Sequence, residues 1–195
     1  MNQRVGNRGM APLWAPLWPL VLGMVMLVPG VGADQGDERL EGLFEVLRTT
    51  PDADDALAAE ARIWGIWLES GQEDIDALMA RGVGAMESRR YDDAVSLFGE
   101  IVARAPQFAE GWNKRATVYF LQQDYTASVQ DIQRTLALEP RHFGAISGMG
   151  QIFLRRDDLA GALEAFEAVL RIHPHARTIR EAVEELRLLV PKRGA

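Results

Sequence analysis

The sequence predicts an all-α protein, a right-handed solenoid of about nine helices stacked as antiparallel pairs. Three observations carry that prediction. Pro106, Pro140 and Pro174 recur at a spacing of 34 residues. Between them, residue size repeats at the same spacing. Trp112 answers to Leu78 and Ile146, Ala116 to Gly82 and Gly150, Tyr119 to Ala85 and Phe153, Tyr125 to Tyr91 and Leu159. Ser128 answers to Ala94 and Ala162, and Ile132 to Phe98 and Phe166. Within each period the apolar residues fall three and four apart, as Trp112, Ala116 and Tyr119 do, which places them on one face of a helix. A slot that stays small marks a close approach of two helices. A fixed period of this length marks units that bury their apolar faces only against each other.

Each unit reads as helix, turn, helix, break. In the middle unit, residues 109–142, the first helix carries Trp112, Ala116 and Tyr119. Gln123-Asp124-Tyr125 is too short a connection for anything but an antiparallel hairpin. The second helix carries Ser128, Ile132, Thr135 and Leu136. Pro140 stops it, because proline disfavours helix in the residue before it. The flanking units are residues 75–108 and 143–176.

Residues 37–48 put Leu40, Leu43, Phe44 and Leu47 on one helical face, Pro51 breaks, and residues 53–69 continue the periodicity with Leu57, Ile63, Trp64 and Trp67. Residues 34–74 therefore predict a degenerate hairpin that opens the array, as terminal units often do. After the third unit, Thr178 and Glu181 predict a capping box. Ile179, Val183 and Leu186 face inward, and Arg180, Glu184, Glu185 and Arg187 face water. Residues 177–195 thus read as a solubilising last helix and a tail.

At these residues the chain resembles the tetratricopeptide repeat family, over residues 75–176. The middle unit matches best, through Trp112, Ala116, Tyr119, Tyr125 and Pro140. Arg81 and Arg115 stand where the family usually has leucine, and Gln123 where it usually has a turn glycine. The resemblance implies a concave groove lined by the first helix of each unit, which binds a protein or peptide and catalyses nothing. Carried onto this chain, the groove positions are Met79, Val83 and Met86 in the first unit. They are Asn113, Lys114, Thr117 and Phe120 in the second, and Ser147, Gln151, Leu154 and Arg155 in the third. Met79 and Val83 have a second possible use, packing on the degenerate hairpin. Some members hold a C-terminal carboxylate in a cationic clamp; here Asn113 and Lys114 alone offer candidates, so that activity is not expected. A cation at a helix interface needs an acidic partner, and Asp131 is the nearest for Arg115.

Composition narrows the function. The 195 residues carry 21 Lys+Arg and 28 Asp+Glu, a net charge of −7. The repeat array has no basic stripe of the kind that displaces counterions from nucleic acid. That argues against the RNA-binding pentatricopeptide hairpins, the main helical rival. Residues 1–33 run from a polar stretch with Arg4 and Arg8, through an uncharged apolar run, to Val31 and Ala33, small residues before Asp34. This is the layout of a secretory signal peptide. The alternative is an uncleaved anchor, since a span needs ~20 residues; Pro12, Pro16 and Pro19 shorten the helix-competent part. With no cysteine there is no disulfide, which fits a bacterial periplasm better than an animal extracellular space.

Candidate chemistry is sparse. There is no HExxH spacing, no glycine-rich phosphate loop and no GxSxG elbow. His173 and His175 form a tempting metal pair, but they bracket the repeat-ending Pro174, and His142 takes the matching turn after Pro140, so all three read as turn residues. A metal site would want three or four ligands. The expectation is a non-enzyme without cofactor or metal: a periplasmic adaptor or assembly chaperone that binds another protein or a peptide in its groove. The alternatives are a structural scaffold in an envelope complex and, from a different class, a metal-binding protein or membrane-tethered enzyme accessory.

Overall fold

The computed structural model describes residues 37–190; the leader expected at residues 1–33 and the end of the C-terminal tail lie outside the described residues. The described residues form nine helices: α1 Glu38–Thr49, α2 Ala53–Leu68, α3 Glu73–Glu87, α4 Tyr91–Arg104, α5 Ala109–Leu121, α6 Tyr125–Leu138, α7 Phe143–Arg155, α8 Leu159–Ile172 and α9 Arg177–Leu189. No strand occurs among them.

The 34-residue period is written into the backbone. Arg89, Gln123 and Asp157, one period apart, adopt φ of 57°, 64° and 55°. Each follows the end of a first helix and closes it in the same way. In the middle unit the Asp124 amide reaches back to the Tyr119 carbonyl and the Gln123 amide to Phe120, and the same pair of bonds recurs in the other two units. This is the Schellman closure, which needs a left-handed residue after the C-cap. None of the three is glycine, so each unit carries a little backbone strain there. Asp124 and Asp158 then cap the next helix through bonds to the amides of Ala127 and Gly161; Arg90, in the same slot, does not. The junctions between units repeat too. Ala105, Glu139 and His173 are the C-caps of α4, α6 and α8. Phe108, His142 and Ala176 are the N-caps of α5, α7 and α9.

Paired helices meet through the small slots. A Cβ on Gly82 would lie 2.5 Å from the Phe98 ring, and one on Gly150 would collide with Phe166. In the middle unit the slot holds Ala116 against the smaller Ile132. The first helices touch one another, α3 to α5 and α5 to α7, whereas α4, α6 and α8 make at most marginal mutual contact. The stack therefore curves with α3, α5 and α7 on its inner, concave side.

The α1–α2 hairpin does not take the end-of-stack place expected of it. Its helices touch α8 and α5, and α2 makes at most marginal contact with α3. Its core of Leu40, Leu43, Phe44, Leu47, Ile63 and Trp67 closes over Phe143 and Val169, with Ile146, Ile172 and Ile179 alongside. It lies as a strap across two junctions, α6 to α7 and α8 to α9. Leu57, expected in its core, is 63% exposed instead. The capping box also fails to form: α9 starts after Ala176 with no side-chain cap, and Glu181 pairs with Arg177 at 2.9 Å. Arg81 points to solvent, so it faces no helix interface.

Candidate functional site

The concave face opens into a crevice between α5 and α7, about 90 Å³ in volume. Asn113, Ala116, Ile132, Ala145, Gly144 and Gly148 make its floor and walls, and Thr117, Phe120 and Gln151 make its rim. The small residues on α7 hold the cleft open, and Phe120 supplies an aromatic wall. Phe120 packs on Tyr125 with ring centroids 5.7 Å apart, and the Arg155 guanidinium stands 5.9 Å over it.

Of the positions taken from the sequence, the structure thus brings Asn113, Thr117, Phe120, Gln151 and Arg155 together at this crevice. Ser147 is half-buried on α7. Leu154 packs against the core formed by Ala162 and Phe166 of α8 and Val183 and Leu186 of α9. Met79 is buried in the core of the first unit, with Val83 and Met86 packed against that core. Lys114 turns away from the crevice, pairing with Glu110 at 2.9 Å and standing 5.8 Å over the Trp64 ring.

Beneath the strap lies a buried polar hub that sequence reading did not anticipate. Glu110, in the first turn of α5, is wholly buried. His142 caps α7 by accepting the Ala145 amide on Nδ1, at 3.1 Å. Its proton therefore sits on Nε2, which donates to Glu110 Oε2 at 2.9 Å. Asn113 Nδ2 donates to the same oxygen at 2.9 Å. Burial pushes the Glu110 carboxyl up, but the His142 bond and the Lys114 charge outweigh it and hold it below the usual carboxylate range. Trp67 lies flat on His142, and Trp64 packs edge-on to His142 and Phe143.

The strap is pinned at further points. Arg141 stacks 4.1 Å over Phe44, reaches Glu41 at 2.8 Å and bonds buried Glu139 through its own amide at 2.8 Å. His173 Nε2 meets Glu60 at 3.2 Å, and His175 Nε2 bonds the Thr50 carbonyl at 2.8 Å. Burial drives the His173 imidazole below its ordinary range, with the Glu60 charge opposing and His175 and Arg180 reinforcing. All three histidines of the chain therefore serve this one interface. The 34-residue alignment holds the missed signal. Ala105 becomes Glu139 and then His173, and Phe108 becomes His142. Polar residues enter buried junction slots only where the strap covers them.

Arg115 and Asp131 do pair, as expected. Nε and Nη2 reach the two carboxylate oxygens at 2.7 and 2.9 Å. The guanidinium also lies 5.0 Å over Trp112 and 5.8 Å from the Tyr119 ring centroid. Those Asp131 bonds, against a smaller desolvation cost, hold its proton more firmly than usual.

The family model for the tetratricopeptide repeat matches residues 79–142 and 122–177. A TPR repeat-containing protein of Rhizobium etli is 38% identical over 149 residues, which cover 76% of this chain and 73% of that protein. Among solved structures, the first TPR of Spaghetti (RPAP3), bound to the HSP90 peptide SRMEEVD, superposes with a TM-score of 0.56 at 19% identity, over 59% of this chain and 91% of that one. The type III secretion chaperone SycD of Yersinia enterocolitica, in complex with a peptide of the translocator YopD, superposes with a TM-score of 0.57 at 10% identity, over 60% and 95%. At those identities the structures bear on the fold alone.

Proposed function

The chain belongs to the tetratricopeptide repeat family, and from that membership we propose that it is a non-catalytic adaptor, an assembly chaperone of the bacterial periplasm, that binds a protein or peptide on its concave face. The observation that carries this reading is the crevice between α5 and α7. It has an apolar floor of Ala116, Ile132 and Gly148, a polar rim of Thr117 and Gln151, and the Phe120–Arg155 pair at one side. A site of this kind grips an apolar side chain and orients the peptide that bears it. Peptide complexes of structural neighbours, SycD and RPAP3, are consistent with such use. The leader-like layout of residues 1–33 supports the periplasmic placement.

The test is capture from a periplasmic extract by the tagged mature chain and by Phe120→Asp. The wild type should retain a defined protein that Phe120→Asp loses while keeping its helical circular dichroism. Equal capture by both would remove the crevice reading. Recovery of the native protein in the cytosolic fraction would remove the periplasmic one.

A further inference from the structure

We propose that the α1–α2 hairpin is a displaceable internal ligand, and that the surface beneath it takes an acidic amphipathic helix carrying an indole. The inference rests on the reading of the array as a partner-binding surface, and it specifies the partner and its control.

Charge gives the first support. Residues 37–72 hold nine acids and three arginines, a net of −6 within a chain of −7. The groups that meet them from the array are cations and imidazoles. Arg141 takes Glu41, Arg171 lines one pocket with Glu41 and Glu45, and His173 takes Glu60. The hairpin is thus an acidic ligand whose carboxylates are met by Arg141, Arg171 and His173, and a replacement must satisfy the same groups.

The seal supplies the second. Among the described residues, four buried side-chain polar atoms lack a hydrogen-bond partner: Trp67 Nε1, Glu110 Oε1, Glu139 Oε2 and His173 Nδ1. Trp67 is on the hairpin, Glu139 and His173 lie in the two junctions it covers, and Glu110 reaches the first of them from α5 through His142. Glu110 Oε1 is met by the Lys114 ammonium at 2.9 Å, which leaves three unmet. A buried polar atom left unbonded forfeits what water would restore. Opening this interface would return Trp67 Nε1, Glu139 Oε2 and His173 Nδ1 to water.

The third is the indole socket. Trp64 fills the space that a side chain at residue 144 would occupy: a Cβ built on Gly144 would lie 2.6 Å from Trp64 Cη2. Gly144 also lines the crevice. The docked hairpin thus abuts the cleft at Gly144, and a partner that runs from the cleft over Gly144 must lift Trp64. Only a short segment, Glu69 to Gln72 with Gly71 at φ 73°, ties α2 to α3.

The experiment uses the full chain and a labelled synthetic peptide of the α2 sequence, residues 52–69, read by fluorescence anisotropy. It compares the wild type with Glu41→Lys/Glu60→Lys, which loosens the hairpin without altering the array. The variant should bind the peptide at least tenfold more tightly than the wild type, and a peptide with both tryptophans replaced by alanine should bind neither. Peptide at saturation should also speed amide exchange in residues 38–68 of the wild type, an arm that needs no variant. Equal affinities, no binding to either protein, or binding with those amides still protected would each overturn the inference. If the peptide fails while Phe120→Asp still abolishes capture, the internal ligand falls and the adaptor reading stands. If the peptide displaces the hairpin while Phe120→Asp leaves capture intact, the crevice reading falls instead.

Discussion

The Trp67 indole lies face to face on the His142 imidazole, with ring centroids 4.0 Å apart and planes 9° from parallel. The two residues belong to different parts of the chain, α2 and the α6–α7 junction. His142 is held from below by Glu110 and from the side by the Ala145 amide, so its ring offers Trp67 a fixed platform. Trp67→Ala should therefore cost about 3–5 kcal/mol, read as a lowered urea midpoint. Amide exchange in α1 and α2 should rise far more than in α3 and α4, whose separate core Trp67 does not enter.

Acid should loosen the strap. The folded protein holds His173 below its ordinary range, by burial. Above about pH 6.5 the group is neutral in both states and adds no pH dependence. As pH falls below that value the unfolded chain takes the proton first. Stability then drops, with a slope of at most one proton, until the folded pKa is reached. Glu110 acts in the same direction at lower pH: its depressed pKa gives stability above the usual carboxylate range that is lost as pH falls through the folded value. Urea midpoints at pH 7.5 and 5.5 should differ in the wild type and differ less in His173→Gln.

The three left-handed turn residues should be improvable. Glycine tolerates positive φ where glutamine, arginine and aspartate pay for it. Gln123→Gly should raise stability by about 1 kcal/mol, and Arg89→Gly and Asp157→Gly should act alike, seen as higher melting temperatures. A loss of stability at all three would contradict the shared φ near 60°.

Gly150 should tolerate no side chain while Phe166 faces it. Gly150→Ala forces the ring to shift and should cost about 1–3 kcal/mol in thermal unfolding. Phe166→Leu should relieve much of that loss in the double variant, because the middle unit already runs on Ala116 with Ile132.

Arg115→Leu should destabilise by about 3–5 kcal/mol, since Asp131 is buried and would be left without its bidentate partner. Arg115→Leu/Asp131→Leu should recover most of the loss in urea unfolding.

The repeat was legible because its physics is local. Helical spacing, a turn too short for any other connection, and a proline every 34 residues required no knowledge of distant contacts. Arg115 with Asp131 was readable for the same reason: the two stand on facing helices of one hairpin. The strap was not. Leu40, Phe44 and Trp67 declare an apolar face, but periodicity does not say which surface covers it, and the answer lies a hundred residues away at Arg141. Leu57 carries the right period and still ends in solvent. Met79 was placed in the groove by its offset from Leu78, yet both side chains are buried in the first unit's core. Part of the crevice was readable, in Asn113, Thr117, Phe120 and Gln151. Its small-residue floor was not, because Gly144 and Gly148 gain meaning only once Trp64 and Ile132 are seen beside them.

The placement of the hairpin across the unit junctions is tested most directly by cross-linking. The chain has no native cysteine, so Glu41→Cys/Arg141→Cys and Glu41→Cys/Glu73→Cys can each be treated with a short bismaleimide. Rapid intramolecular cross-linking of the 41–141 pair, with little for the 41–73 pair, is the expected result. The reverse pattern would put the hairpin at the end of the stack and contradict the strap.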